Sequence, residues 1–452
     1  MADSTGKEIA SELQRFRPYL EYKDSGVDWL GKIPADWEVK RLKYVATVSD
    51  ERSYDFDSDL PYVGLEHIES GTGKLLQSVE YHRDSSEEIE SAASTFRSGD
   101  VLFGKLRPYL AKVLKPDFEG RCSTELIVLR SGSDIDPPYL SYQLLSPGFI
   151  SWINSMTYGT KMPRANALQI ESTRLALPSR LEQIKIAAFL DHETTKIDAL
   201  IGKKERLIEL LREKRTALIT QAVTKGLDLS VPMKDSGVEW LGKIPAHWEV
   251  KRLKFVLAAP LKYGANESAE LDDPDLPRYV RITDIDESDG LREETFKSLP
   301  PEVAKEYLLR EGDLLFARSG ATAGKTFLYR KSWGECAYAG YLIRARLEIK
   351  KVRPEFIRYF TASLSYWQWL ASTYIQATIQ NVSAERYASL SLPSPPVAEQ
   401  CAVVSFIALQ TAKIDALVAK IQEAIGRLKE YRTALISAAI TGKIDVRDEV
   451  RR

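Results

Sequence analysis

The stretch KDSGVDWLGKIPADWEVKRLKY, residues Lys23–Tyr44, occurs twice in this chain with small changes. The second copy, Lys234–Phe255, reads KDSGVEWLGKIPAHWEVKRLKF. Nineteen of the 22 positions are identical, and the copies lie 211 residues apart. Self-similarity at a fixed spacing indicates a repeated architecture. A spacing of nearly half of the 452 residues is too long for a solenoid, so it predicts one duplicated domain.

Shorter motifs extend the repeat downstream. GDVLF becomes GDLLF, LALPS becomes LSLPS, and both KIDAL and RTALI recur unchanged, at Gly99–Phe103 and Gly312–Phe316, Leu175–Ser179 and Leu390–Ser394, Lys196–Leu200 and Lys413–Leu417, and Arg215–Ile219 and Arg432–Ile436. The middles, Val45–Arg174 and Val256–Ala388, differ heavily. Two interpretations stay open: neutral drift in surface loops, or two similar scaffolds that carry different recognition surfaces.

Composition excludes several classes of protein. Apolar residues make up 44% and charged residues 28%, which favours two or more folded domains. The three cysteines are widely spaced without a CxxC motif, and the four histidines have no ligand-like spacing, which predicts a reduced, cytoplasmic chain without disulfide or metal. We also expect no membrane contact, because there is no run of 18 apolar residues and no apolar signal core.

Each middle shows strand patterns between turn residues. The predicted strands are rich in β-branched or aromatic residues and lie at Leu60–Ile68, Asp100–Phe103, Glu125–Arg130, Arg278–Ile285, Asp313–Ala317 and Tyr341–Leu347. Short helices are predicted at Pro138–Met156 and Pro354–Ser372. Each repeat therefore reads as an α+β domain.

A long helix without internal proline is predicted at the end of each repeat. The first begins near Ser179, where Ser179 and Glu182 form a capping-box pattern, and stops before Gly226. The second runs from about Val397 to Ile440 and stops at Gly442. At 1.5 Å per residue each helix spans roughly 60 Å.

Apolar residues at heptad spacing predict a coiled-coil seam along both helices, and packing against a globular core is the alternative. The predicted seam positions are Ile197, Leu200, Leu207, Leu211, Leu218, Ile414, Leu417, Ile421, Leu428 and Leu435. Because the second domain lies between the helices in the chain, an antiparallel pair places the two domains at opposite ends. The predicted fold class is thus α+β, with two similar domains separated by an antiparallel coiled coil and related by a pseudo-twofold axis.

The predicted segments follow this order. They are an N-terminal extension (1–23), domain 1 (24–178), helix 1 (179–225), a linker (226–234), domain 2 (235–393), helix 2 (394–442) and a C-terminal tail (443–452).

Two segments resemble catalytic motifs but lack their context. Asp136–Tyr139 reads DPPY, as in amino-methyltransferases, yet there is no matching glycine-rich cofactor loop, so we expect a loop that ends with proline at a helix start. Ser319–Thr326 nearly spells a P-loop, but the spacing is one residue short and the next residues read as a strand. A hairpin loop is the preferred interpretation there.

The order of variable domain, constant helix, variable domain and constant helix resembles type I restriction–modification specificity subunits over nearly the whole chain. The resemblance rests on the repeated KDSG segment, GD(V/L)LF, and L(A/S)LPS followed by the KIDAL…RTALI helix. It implies a non-catalytic subunit in which each domain reads half of a split sequence in double-stranded DNA. It also implies that the coiled coil sets the spacer and docks two methyltransferase subunits, which restriction–translocation subunits join. S-adenosylmethionine, magnesium and ATP then belong to those partners.

Candidate DNA contacts follow from side-chain chemistry, because arginine reads guanine, glutamine and asparagine read adenine, and lysine meets phosphate. The candidates are Lys105, Arg107, Tyr109, Lys112, Thr160, Lys161 and Arg164 in domain 1, and Arg281, Arg318, Lys325, Gln380 and Asn381 in domain 2. A solvated surface role is the alternative for each of them. Alternative functions are a coiled-coil adaptor without DNA affinity and a fused amino-methyltransferase.

The divergent middles generate a first prediction. Replacing Val45–Arg174 with the first variable domain of another family member should change one half of the methylated target sequence and leave the other half intact. Methylome sequencing of the host measures both halves. A simultaneous change of both halves would contradict independent domains.

Overall fold

The computed structural model describes residues 9, 11–53, 60–76, 93–159, 161–286, 290–374 and 381–449. The chain divides into two compact units. Unit 1 consists of Met1–Lys204 and Gln422–Arg452, and unit 2 consists of Glu205–Ile421. Each unit therefore contains one variable middle and a part of each long helix.

Unit 1 contains twelve described strands and three short helices before the first long helix. The strands are β1 (Tyr22–Asp24), β2 (Lys32–Pro34), β3 (Glu38–Arg41), β4 (Ala46–Val48), β5 (Arg52–Ser53), β6 (Tyr62–Val63), β7 (Ala93–Phe96), β8 (Val101–Gly104), β9 (Val113–Leu114), β10 (Gly120–Cys122), β11 (Leu126–Ser131) and β12 (Arg174–Leu177). The helices are α1 (Pro137–Leu145), α2 (Pro147–Ser155), α3 (Ala167–Ser172) and the long α4 (Arg180–Lys225), which continues into unit 2.

Among the described residues, unit 2 repeats this order without counterparts of β5 and β7 and with one additional short helix. Its strands are β13 (Met233–Asp235), β14 (Lys243–Pro245), β15 (Glu249–Arg252), β16 (Leu257–Tyr263), β17 (Arg278–Val280), β18 (Leu314–Ala317), β19 (Thr326–Leu328), β20 (Cys336–Tyr338), β21 (Leu342–Leu347) and β22 (Ser391–Ser394). Its helices are α5 (Pro301–Ala304), α6 (Pro354–Phe360), α7 (Leu364–Tyr374), α8 (Ala384–Ser389) and the long α9 (Val397–Ile440), which ends in unit 1.

The main sheets of the two units have the same topology. In unit 1 the strand order is β4-β11-β8-β9, and in unit 2 it is β16-β21-β18-β19, with antiparallel neighbours throughout. A two-strand sheet in each unit, β3 with β12 and β15 with β22, joins the constant KDSG region to the strand before the long helix. The repeated sequence thus encodes a repeated scaffold.

A buried ion pair explains the repeated GD(V/L)LF motif. Asp100 accepts hydrogen bonds from the backbone of Arg97 and from the guanidinium of Arg130 on β11. In unit 2, Asp313 accepts in the same way from the backbone of Arg310 and from Arg346. Each aspartate therefore closes the turn before a core strand and ties that strand's start to its neighbour in the sheet.

Both predicted long helices are confirmed, with ends within two residues of the predicted positions. The hydroxyl of Ser179 accepts from the backbone N–H of Glu182 at 3.4 Å, as an N-cap should. The other half of the capping box is replaced, because Glu182 accepts from Tyr19 Oη at 2.8 Å and from Trp37 Nε1 at 3.2 Å. The carboxylate therefore anchors the N-terminal segment on the helix.

Some predicted elements are shorter or divided. Strands predicted at Leu60–Ile68 and Arg278–Ile285 end early in short 3₁₀ turns. The helix predicted over Pro138–Met156 is two helices, because Ser146 leaves the helical conformation before Pro147 and caps α2. The helix predicted over Pro354–Ser372 is also divided, at residues 361–363. Apolar spacing alone does not show where such breaks fall.

The parts of the two long helices within unit 1 run antiparallel. Asp198 of α4 pairs with Arg432 of α9 at 3.1 Å, and Glu182 lies 3.9 Å from Arg447, beyond the end of α9. Arg432 also donates to the carbonyls of Gly71 and Thr72 at 2.8 and 2.9 Å. The guanidinium thus joins both helices to a loop of the variable domain.

Unit 2 contains the reciprocal pair. Arg215 Nε of α4 lies 3.2 Å from Asp415 Oδ1 of α9. Val223 near the end of α4 and Val403 near the start of α9 belong to one buried cluster, so these parts also run antiparallel. In each unit, the aspartate of a KIDAL motif therefore meets the arginine of an RTALI motif, which explains why both motifs recur unchanged.

The predicted seam residues differ in burial. Ile197, Ile414, Ile421 and Leu435 are buried, as predicted, and Leu211, Leu218 and Leu428 are half-buried. Leu200, Leu207 and Leu417 are exposed, which contradicts their assignment to the seam. The isoleucines Ile201, Ile208 and Ile425 are buried instead, because the buried stripe advances by four residues at places where the heptad pattern advances by three.

One helix among the described residues, α9, is long and apolar enough to cross a membrane by length and composition alone. This is weak evidence for a span, because Val403 and Ile407 of α9 are packed in the core of unit 2. Only 22% of the apolar window is buried in the structure. The window therefore marks an exposed apolar surface on α9.

The C-terminal tail packs on unit 1, as the repeat predicts. Asp445 donates its backbone N–H to Arg17 at 2.7 Å, and Tyr22 Oη donates to the carbonyl of Gly442 at 3.0 Å. Ile444 and Val446 are buried. The tail therefore lies beside the N-terminal segment of unit 1.

A circular permutant tests this arrangement. Joining Arg452 to Met1 through a short flexible linker and opening the chain at Ser230, in the exposed linker before β13, should give a folded protein, because Arg17 and Asp445 are already neighbours. Thermal unfolding and the methylated target sequence should match those of the parent chain. As a control, opening the chain inside α4 at Ala199 should prevent folding. An insoluble Ser230 permutant would contradict the arrangement.

Candidate nucleic-acid interface

Two candidate segments of domain 1 are brought together beside strand β8. Leu106 and Arg164 form a β-bridge, and the backbone N–H of Arg107 donates to Pro163 at 2.7 Å. The N–H of Ala165 donates to the carbonyl of Lys105 at 3.0 Å. Residues 105–112, 158–159 and 161–166 are therefore one surface, which we name reading loops 1.

The backbone of reading loops 1 adopts an unusual conformation. Arg107 and Ala111 have φ angles of 51° and 47° and are the described non-glycine residues with positive φ. L-residues adopt this left-handed region at a cost of roughly 1–2 kcal/mol each. Pro108 lies between them at the start of a 3₁₀ turn, which presents Tyr109 to solvent. Strain of this kind is concentrated at functional sites.

Domain 2 forms the equivalent surface from equivalent residues. Ser319 and Asn381 form a β-bridge, and the N–H of Val382 donates to the carbonyl of Arg318 at 2.8 Å. Arg318 Nε donates to Asn381 Oδ1 at 3.4 Å, and its guanidinium lies over the ring of Tyr263, 4.9 Å from the centroid. We name residues 318–325 and 381–383 reading loops 2.

The two surfaces share one hydrogen-bond pattern. In domain 1 the backbone N–H of Lys105 donates to the carbonyl of Glu125, and the carbonyl of Lys105 accepts from the N–H of Ala165. In domain 2 the backbone N–H of Arg318 donates to the carbonyl of Tyr341, and the carbonyl of Arg318 accepts from the N–H of Val382. The backbone framework is therefore constant, while the side chains it presents differ between the domains.

The structure gives each candidate residue a different setting. Lys105, Arg107 and Arg318 are half-buried, and Tyr109, Lys161, Lys325 and Asn381 are exposed. Arg164 forms a two-point pair with Glu125 at 2.9 and 3.2 Å while remaining partly exposed. Lys112 donates to the carbonyl of Leu65 at 2.5 Å. Thr160 and Gln380 lie outside the described residues.

The guanidinium of Arg281 forms its hydrogen bonds within the chain. Its guanidinium forms a two-point pair with Asp284 and also donates to the carbonyl of Thr295 at 2.8 Å. The hydrogen bonds to Asp284 raise the pKa of this arginine further. Arg281 therefore closes a turn, and its predicted DNA contact has no support in this arrangement.

Exposed apolar side chains beside the loops were missed from the sequence. Tyr158 and Met162 flank Lys161 in reading loops 1, and Tyr341 adjoins Arg318 in reading loops 2. Aromatic side chains next to cationic ones are typical of surfaces that contact bases. An aromatic residue within each turn-like segment could have indicated these side chains in the sequence, but the sequence does not show that they are exposed.

The two motif-like segments have structural roles. Tyr139 of the DPPY segment is fully buried and donates to the carbonyl of Ala176 at 3.1 Å, so its ring lines no open site. The P-loop-like segment connects antiparallel strands β18 and β19, which confirms the predicted hairpin. In the part of the chain that is described, no group of three or more His, Cys, Asp or Glu residues is arranged to hold a metal ion.

Comparisons with known proteins agree with this architecture. The profile of the type I restriction modification DNA specificity domain matches residues 34–210. The MjaVIII specificity subunit of a type I restriction enzyme from Methanocaldococcus jannaschii is 23% identical over 92% of this chain and 95% of its own length. The EcoKI specificity subunit of Escherichia coli is 23% identical, covering 92% of this chain and 90% of its own.

The family profile matches most of the first of the two repeat copies. The similarity to the relatives extends over nearly the full length of the chain. Residues 34–210 match the type I restriction modification DNA specificity domain, and nearly the whole chain is similar to specificity subunits of type I restriction enzymes. These relatives are named specificity subunits of restriction enzymes.

A solved structure supports the fold assignment. A chain described as "Structural basis underlying complex assembly and conformational transition of the type I R-M system" superposes with a TM-score of 0.64 at 20% identity, covering 90% of this chain and 98% of its own. The predicted fold class, two α+β domains with a pair of long helices, is confirmed.

Proposed function

We propose that this chain is a specificity subunit that reads a bipartite sequence in double-stranded DNA, with reading loops 1 on one half and reading loops 2 on the other. The observation that carries the proposal is the pair of equivalent loop surfaces, built on one backbone framework and bearing different cationic and aromatic side chains. A constant framework with variable side chains is what two different half-sites require.

Each loop pair offers the groups that read base edges. Arg318 and Asn381 share a surface in domain 2, where arginine suits guanine and asparagine suits adenine. Arg164 is released for a base only when its pair with Glu125 is exchanged for a DNA contact. Lys105, Lys161 and Lys325 suit phosphates, which position the protein without reading sequence.

The long helices supply the docking surface for the methyltransferase subunits. Leu207 and Leu210 of α4 and Leu409 and Leu417 of α9, all within unit 2, are exposed, although they are large and apolar. Large exposed apolar side chains of this kind mark protein interfaces. In this proposal two methyltransferase subunits bind here, and restriction–translocation subunits join them in the cytoplasm. These partners hold S-adenosylmethionine, magnesium and ATP.

The proposal predicts an altered half-site when one loop pair is changed. The chain is expressed with its neighbouring methyltransferase gene, and the host methylome is sequenced. Arg318→Ala with Asn381→Ala should relax the base preference of one half, because each lost base contact removes about 1–3 kcal/mol of discrimination. Lys105→Ala with Arg164→Ala should affect only the other half.

Lys331→Ala is the matched control, because Lys331 is an exposed basic residue of unit 2 outside the reading loops. It should leave the target sequence unchanged. An unchanged target in both double variants, or a change in both halves at once, would contradict the proposal.

A further inference from the structure

The N-terminal segment of the chain covers one face of α4 in unit 1. Phe16 packs edge-to-face against Phe189, with ring centroids 5.4 Å apart. Tyr19 Oη donates to Glu182, and Arg15 donates to the hydroxyl of Tyr431 at 3.1 Å. Burial and the hydrogen bond to Glu182 raise the pKa of Tyr19, so its hydroxyl remains a donor. Phe189 is consequently only 3% exposed.

The same face of α9 in unit 2 is uncovered. The helix repeat, at an offset of 217 residues, places Glu399 at the position of Glu182 and Phe406 at that of Phe189. Phe406 is 38% exposed, and Leu409 beside it is 56% exposed. The linker at residues 226–232 leads directly from α4 to β13, and at the 211-residue offset it has Leu227, 40% exposed, in place of Phe16 and Ser230 in place of Tyr19. We name Glu399, Phe406, Leu409 and Leu227 the open face.

A buried donor at the open face lacks its partner. Trp37 Nε1 donates to Glu182 in unit 1, whereas Trp248 Nε1, at the equivalent position, is buried without a hydrogen bond among the described residues. Glu399 instead contacts His247 Nε2 at 2.9 Å. A methyl group on Gly226 would lie 3.3 Å from both Glu399 Oε1 and the Trp248 ring, so the carboxylate and the indole are neighbours. An unsatisfied buried donor costs roughly 1–3 kcal/mol.

We propose that the open face binds a segment of a partner protein that presents an aromatic ring and, three residues later, a hydroxyl donor. The ring packs on Phe406 as Phe16 packs on Phe189. The hydroxyl donates to the carboxylate of Glu399 as the hydroxyl of Tyr19 donates to that of Glu182. Bound in this way, the segment turns the carboxylate from His247 toward Trp248.

The charge of the partner segment follows from two replacements. Tyr431 and Glu193, which bind Arg15 in unit 1, are replaced by Lys214 and Gln410 in unit 2. In unit 1 a basic residue directly before the aromatic ring is therefore favoured, because it faces Glu193. In unit 2 an acidic residue at that position is favoured, because it faces Lys214. The partner segment thus differs in charge from the N-terminal segment of this chain.

This inference deepens the proposed docking function and rests on it for the identity of the partner, a methyltransferase subunit. It adds an asymmetry between the two units. In unit 1 the face is filled by the chain itself, at the high effective concentration of a tethered segment. In unit 2 it is free, so the first partner binds there.

The test uses the full chain and a fluorescent peptide of residues 9–22, in which Arg15 is replaced by glutamate. Fluorescence anisotropy should show saturable binding of one peptide per chain. Phe406→Ala should weaken it about tenfold or more, as loss of a central aromatic anchor does. Ile349→Ala, which removes a still more exposed apolar side chain of unit 2 outside the open face, should leave it unchanged. The unmodified peptide should bind about threefold more weakly at low salt, because Lys214 repels Arg15.

A chain lacking residues 1–20 should bind two equivalents of the unmodified peptide, and the point variants decide the question if that chain does not fold. Absent binding to the full chain, or binding insensitive to Phe406→Ala, would overturn the proposal. So would lipid-vesicle binding by the full chain that Phe406→Ala abolishes, because it would assign the face to a membrane surface. The measurement uses neither DNA nor methyltransferase, so its failure leaves the methylome test of the proposed function intact.

Discussion

The ion pair between Asp198 and Arg432 is the contact on which the organisation of unit 1 depends. Arg432 is almost fully buried, and it binds Asp198 on the other long helix and two carbonyls of a domain 1 loop. Removing one partner of such a pair costs about 3–5 kcal/mol, because a buried charge is left without compensation. The pair therefore fixes the antiparallel register and holds the variable domain on both helices.

The equivalent ion pair in unit 2 contributes less to stability. Arg215 and Asp415 are 39% and 57% exposed, and exposed pairs contribute about 0–1 kcal/mol. The core of unit 2 depends more on Ile219 and Val223 of α4, which are buried with Val403 and Ile407 of α9. Each variable domain thus completes its core with the end of the helix from the other repeat. This constraint explains why the constant segments cannot diverge as the middles do.

Much of this architecture could be predicted from the sequence. The repeat gave the two scaffolds, and proline-free helical stretches ending at Gly226 and Gly442 gave both long helices to within two residues. The candidate segments follow core strands, so their place beside those strands could also be read from the sequence, whereas their contact with DNA stays a prediction. The side of the helix that is buried was harder, since leucines at exposed positions such as Leu200 and Leu417 continue the apolar pattern.

Other features depend on contacts between distant segments. Arg281 looks like a free cation in sequence, but Asp284 and the carbonyl of Thr295 occupy it. The packing of Phe16 on Phe189 joins segments 173 residues apart, and no local pattern encodes it. The difference between covered and uncovered faces arises because Phe16 packs on α4 in unit 1, whereas residues 226–232 connect α4 directly to β13 in unit 2.

We propose that one pair of long helices carries two separate reading domains and sets the distance between the sequences they read. Inserting four residues after Glu205 and four after Gln422, equivalent positions of the repeat, adds about one turn, or roughly 6 Å, to both helices. Methylome sequencing should then show the same two half-sites with a spacer longer by roughly one to two base pairs, at about 3.4 Å per base pair. Unchanged half-sites with an unchanged spacer would contradict the account.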